Sequence, residues 1–227
     1  MTLNIVQQPA SAAARVRLAP HENIVAEGGA MVAMSDGIQV ETTTRSGSKG
    51  GILKGLGRAL AGESIFLNHF TAGPTGDEVI LAPTLSGDIA HVPLSDRGLK
   101  VQRGSFLAHS AGLEMGIEWQ GFKGAFAKEG MIWLNFSGVG DLLLSAFGSL
   151  YSVDVDGSYV VDTGHIVAYE DGLDYRISKA GKSILSSFLG GEGLVCRFEG
   201  KGRLWCQSHD ARQLGHHLTP HLTPKNH

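Results

Sequence analysis

Three stretches of this chain align without a gap: GAMVAMSDGIQV (Gly29 to Val40), GSFLAHSAGLEM (Gly104 to Met115) and GHIVAYEDGLDY (Gly164 to Tyr175). Each reads glycine, any residue, two apolar residues, alanine, three variable positions, glycine, apolar, variable, apolar. A unit copied in tandem constrains a fold more than any single motif, because each copy must bury its apolar face against the others. The frame itself reads as strand, turn, strand. Its apolar pair and alanine pack inward, its second glycine permits a positive φ, and the alternation that follows resumes a half-buried strand.

A second frame follows the first each time: GESIFLNHFTAGPTGDEVILAP (Gly62 to Pro83), KEGMIWLNFSGVGDLLLSAF (Lys128 to Phe147) and GEGLVCRFEGKGRLWCQS (Gly191 to Ser208). It comprises an acidic residue (Glu63, Glu129 or Glu192), an apolar strand, a glycine-containing turn and a second apolar strand. The turns SGVG and EGKG occupy equivalent places, which predicts hairpins of one design. A carboxylate at a strand entrance can accept N–H bonds from the preceding turn, so the three glutamates are read as structural.

Between the frames lie SKGGILKGLGRALAG, WQGFKGAFAKEG and SKAGKSILSSFLGGEG. The first sets Leu53, Leu56 and Leu60 at helical spacing beside Lys49, Lys54 and Arg58, which suggests a short amphipathic helical turn. Glycine makes up 32 of 227 residues, about twice the usual ~7%. Scattered between short β-branched and aromatic runs, these glycines mean many turns. The expected fold is all-β with few helical turns: three inseparable units of about 60 to 75 residues in one domain of pseudo-three-fold symmetry. That domain spans residues 21–208, preceded by an N-terminal arm (1–20) and followed by a poorly ordered His-rich tail (209–227).

The formal net charge of -3 lacks the basic footprint of a nucleic-acid binder. No apolar run reaches about 18 residues and no cationic leader opens the chain, which argues for a cytoplasmic protein whose membrane contact, if any, is peripheral. Cys196 and Cys206 are read as buried thiols rather than a disulfide framework.

The tripeptide Asp162-Thr163-Gly164 matches the aspartic-protease signature, but such a site needs two aspartates sharing a proton. The other units carry EGG and QRG at this place, so only the glycine belongs to the shared turn. GKS (Gly181 to Ser183) has Arg176 where a phosphate loop needs glycine, and GLGRAL (Gly55 to Leu60) lacks the third glycine of a dinucleotide turn. His21, His69, His91, His109 and His165 are solitary; His209, His216, His217, His221 and His227 could chelate a divalent ion only loosely. No catalytic set, metal site or cofactor site is expected.

Taken in order, GESIFLN, GDEVILAP, SGDIAHVPL, RGSFLAHSAGLE, VDTGHIVAYEDGLDY and GGEGLVCRFEGKGRLWCQS resemble the altered-inheritance-of-mitochondria twenty-four family over roughly residues 20 to 215. The resemblance implies a TRAP-like architecture, a β-sandwich related to the double-stranded β-helix and to the tryptophan RNA-binding attenuation protein. It implies no catalytic residues. Mitochondrial relatives are linked to inner-membrane organisation. This chain departs from the family at Gln207-Ser208-His209, where a Gln-Thr-Arg strand end is usual.

The functional expectation is a non-catalytic scaffold or interaction protein, with a small-ligand or single-stranded nucleic-acid binding module as the alternative. Candidate interaction residues are Lys49, Lys54 and Arg58, and Gly29, Gly104 and Gly164 are the structural turn glycines. The expected partner is another protein or a second copy of the chain; the acidic balance argues against nucleic acid.

Overall fold

A computed structural model describes residues 1–46, 64–95, 97–121, 130–179 and 194–222. The described strands are β1 (Thr2–Val6), β2 (Ala13–Leu18), β3 (Asn23–Glu27), β4 (Met31–Met34), β5 (Gln39–Ser46), β6 (Ser64–Thr71), β7 (Asp77–Leu81) and β8 (Ile89–Ser95). They continue as β9 (Leu99–Gln102), β10 (Phe106–Ser110), β11 (Leu113–Gly121), β12 (Gly130–Ser145), β13 (Leu150–Asp162), β14 (Ile166–Glu170), β15 (Leu173–Lys179) and β16 (Leu194–Gln207). One helix, α1 (Ala211–Leu218), follows. The strands form a 4-stranded sheet, β1-β2-β7-β4, and a 12-stranded sheet whose path runs from β13 to β5, with all strand pairs antiparallel. The all-β expectation is met.

One pairing scheme recurs in each third of the chain. β12 lies between β11 and β9 in its first half and between β8 and β10 in its second. β16 lies between β15 and the end of β13, then between β14 and the start of β13. In the first third the corresponding strand is broken in two: β6 lies between β5 and β3, and β7 between β4 and β2. Even the irregularities repeat, with register shifts between Met31 and Ala33, between Phe106 and Ala108, and between Ile166 and Ala168. Adjacent thirds are joined by backbone pairing of Ala108, His109 and Ser110 with Ala26, Val25 and Ile24, and of Ala168, Tyr169 and Glu170 with Val101, Lys100 and Leu99.

Two local expectations are corrected. SGVG and EGKG are not hairpins: β12 and β16 run straight through them, and the arms of the first such segment, β6 and β7, lie in different sheets. A tight hairpin needs paired residues that reverse the chain, whereas here a single positive-φ glycine, Gly138 or Gly200, lies within a strand whose pairing partners change beyond it, and Gly76 stands in the connection between β6 and β7. The second glycine of the first frame does not hold the positive φ either. At Gly112 and Gly172 a Cβ would collide with the carbonyl oxygens of Val139 and Lys201, so close backbone approach is what excludes a side chain.

Period-two alternation places the core. In β2, Ala14, Val16 and Leu18 are buried, while Arg15 and Arg17 turn out to pair with Glu78. Residues 1–20, expected as an arm, thus supply β1 and β2, and β2 pairs with β7 as the start of β13 pairs with β16. One apolar cluster draws Val25, Phe106, Leu142, Val167 and Trp205 from all three thirds. Past Ser208, within the stretch expected to be loose, residues 211–218 form α1, capped by the Asp210 side chain accepting from Arg212 N.

Candidate functional site

Three polar residues stand two positions before the frame glycines: Glu27, Gln102 and Asp162. They end β3, β9 and β13. Glu27, Gln102 and the Thr163–Gly164 turn line a cavity of about 460 Å³, together with Pro83, Ser145 and Gln207, which are equally spaced along the chain. Residues from all three units therefore meet at one place.

Most polar groups at this cavity are engaged internally. Gln207 Oε1 accepts from Phe147 N at 2.9 Å, and its Nε2 donates to Gly164 O at 2.9 Å. Asp162 Oδ1 accepts from Gly164 N at 2.8 Å, capping the one-turn helix Thr163–His165. Arg212 reaches over from α1, donating to Thr163 Oγ1 at 3.1 Å and pairing with Asp210 at 3.3 Å and Asp162 at 3.7 Å. Glu27 differs. Burial pushes its carboxyl up to about 7, with the Arg103 charge pulling the other way. The cavity thus offers the Glu27 carboxyl, whose protonation burial favours, beside amide, hydroxyl and Asp210–Arg212 groups, a setting for a small polar ligand.

The sequence-predicted residues fall in different places. Lys49, Lys54 and Arg58 lie outside the described residues. The turn glycines do not share one role: Gly29 has φ +92° with open space around it, whereas Gly104 and Gly164 sit in one-turn helices, and a Cβ on Gly164 would collide with Asp210. Asp162 serves as a turn cap beside an arginine. Among the described residues no cluster of three or more His, Cys, Asp or Glu could hold a metal ion, and no helix is long and apolar enough to cross a membrane. Sequence reasoning missed Glu27 and Arg212; aligning EGG with QRG and DTG marks the first, while nothing in the repeats marks the second, which lies beyond them.

A second feature sits at the ends of the sheets. β4 pairs only with β7 and β13 only with β16, so among the described residues each leaves one backbone edge without a neighbouring strand. Met31, Val32, Met34, Tyr159 and Val160 are exposed there. Such edges usually carry charges or a covering element; MVAM and SYVV carry none.

The comparisons agree with this architecture. A protein of Streptococcus pyogenes serotype M6, described as uncharacterised, is 28% identical over 200 residues, which is 86% of this chain and 80% of that protein. An X-ray crystal structure of a Streptococcus pyogenes protein superimposes with a TM-score of 0.79 at 26% identity, covering 97% of this chain and 99% of that one. The family described as Mitochondrial biogenesis AIM24 matches residues 3–209, nearly the whole length, and the chain belongs to that family.

Proposed function

We propose that this chain is a non-catalytic scaffold whose working surface is the open edges of β4 and of the end of β13, the partner being a protein strand added to the sheet. The observation that supports it is the row of exposed, uncharged apolar side chains on two unpaired edges. The polar groups gathered at the cavity support it too, since Asp162, Asp210 and Gln207 are held in internal hydrogen bonds. A place at the periphery of membrane organisation and a pseudo-three-fold arrangement belong to the same reading.

The test is purification of the full chain beside Val32→Lys and Val160→Lys variants, with hydrogen exchange on the purified complex. The expected result is loss of the partner in both variants at unchanged thermal stability, and protection of residues 31–34 or 158–161 in the complex. Retention of the partner by both variants overturns the reading, as does a turnover reaction abolished by one residue.

The cavity favours a second reading, a small-ligand binding module. A ligand at 100 times its dissociation constant stabilises the fold by ~2.7 kcal/mol. A thermal-shift screen of nucleotides and amino acids therefore tests it, and single-stranded RNA enters the same screen although the -3 net charge works against it.

A further inference from the structure

The exposed edges occupy places that are filled elsewhere in the same molecule. β10 and β14 are the frame strands of the second and third units, and each pairs with the strand that precedes the frame in the unit before it, β3 and β9 respectively. β4 is the frame strand of the first unit, and among the described residues it pairs with β7 alone. The end of β13 precedes the frame of the third unit, and among the described residues it pairs with β16 alone. The described strands therefore form two such junctions and leave two half-junctions, one at β4 and one at the end of β13.

Burial follows this bookkeeping residue by residue. Val32 is 62% exposed, while its counterparts Leu107 and Val167 are 1% and 0% exposed. Tyr159 is 41% exposed, while Ile24 and Leu99 are both 1% exposed. The end units nonetheless keep the apolar pattern of the buried ones, which would be an aggregation hazard unless a strand covers it.

We infer that the covering strand comes from a second copy of this chain, β4 of one molecule adding antiparallel to the end of β13 of the next, in the register already used at both internal junctions. Ala108 faces Ala26 and Ala168 faces Val101. The same frame positions set Ala33 opposite Val161, Met34 opposite Val160 and Ser35 opposite Tyr159 of the neighbouring copy. The interface is heterologous, so it builds head-to-tail assemblies rather than two-fold dimers. This names the partner for the edge reading above and rests on it.

The test is site-directed disulfide formation in the full chain. Directly opposed antiparallel residues bring their Cα atoms to about 4.5–5.5 Å, within disulfide reach. Cys196 and Cys206 are buried, which keeps background cross-linking low. Met34→Cys/Val160→Cys is expected to give a ladder of covalent oligomers under mild oxidation. An equimolar mixture of the two single variants is expected to stop at the dimer. The shifted pair Met34→Cys/Asp156→Cys is expected to cross-link at least tenfold more slowly.

Cross-linking of Met34→Cys with itself overturns the proposal, because it reports a two-fold contact. So does a wild-type chain that sediments as a monomer at high micromolar concentration. That last outcome leaves the edge reading intact if Val32→Lys and Val160→Lys still abolish capture of another protein strand, so the two can fail separately.

Discussion

Trp133 Nε1 donates to the Tyr175 hydroxyl at 2.7 Å, tying β12 of the second unit to β15 of the third. Tyr169 meets both rings, edge-on, at centroid distances of 5.0 and 5.6 Å. Aromatic pairs at such spacing add to burial, and Trp133 is fully buried. Tyr175→Phe keeps the ring and removes the acceptor, leaving the indole N–H buried without that partner. The expected cost is about 1–3 kcal/mol, read as a lower urea midpoint at unchanged slope.

Glu27 makes stability depend on pH in a direction opposite to most carboxylates. Its ordinary value of 4.5 rises to about 7 in the folded chain, so between these values the folded state binds more protons than the unfolded one. Stability is then highest below about 4.5 and declines as pH rises through 7. Glu27→Gln places at this position the residue that Gln102 supplies in the second unit. The variant is expected to gain about 1–3 kcal/mol at pH 8 and little at pH 5, measured by denaturant titration at both pH values.

Gly138 and Gly157 separate backbone strain from crowding. Both have positive φ, +103° and +111°, but a Cβ at Gly138 would press on Gly112 O at 2.6 Å, while at Gly157 nothing lies within 4 Å. Gly157→Ala is expected to cost about 1 kcal/mol and Gly138→Ala about 2–4 kcal/mol. Equal midpoint shifts in thermal unfolding would show that the strand bend tolerates a side chain.

The two thiols are expected to be inert in the folded chain. Burial raises Cys196 to about 12, helped by the negative charge of Asp162, and raises Cys206 to about 11. Thiolate is the reactive form, so a thiol reagent at pH 8 should label the native protein at least a hundredfold more slowly than the urea-unfolded protein. Rapid native labelling would indicate opening of β16.

Much of the architecture was legible in the sequence because it repeats. Apolar residues recur at fixed offsets from Gly29, Gly104 and Gly164 in the sequence, and in strands such as β2 period-two alternation reports which side is buried. The strand–turn–strand frame and the all-β class follow from these local regularities. The turn residues were harder to read. Glycine signals that a side chain is excluded, yet a positive φ at Gly138 and a nearby carbonyl at Gly112 leave the same letter in the chain.

The chain by itself determined the all-β class and where the alternating apolar residues fall, since spacing and hydrophobicity act over a few residues. Only the tertiary structure decided which strands became neighbours. Long-range pairing brought Glu27, Gln102 and Thr163 to one cavity, joined β10 to β3 and β14 to β9, and left β4 and the end of β13, among the described residues, with a strand on one side only. Those outcomes depend on backbone hydrogen bonds between segments far apart in sequence, and such bonds carry no signature in the identity of the residues they join.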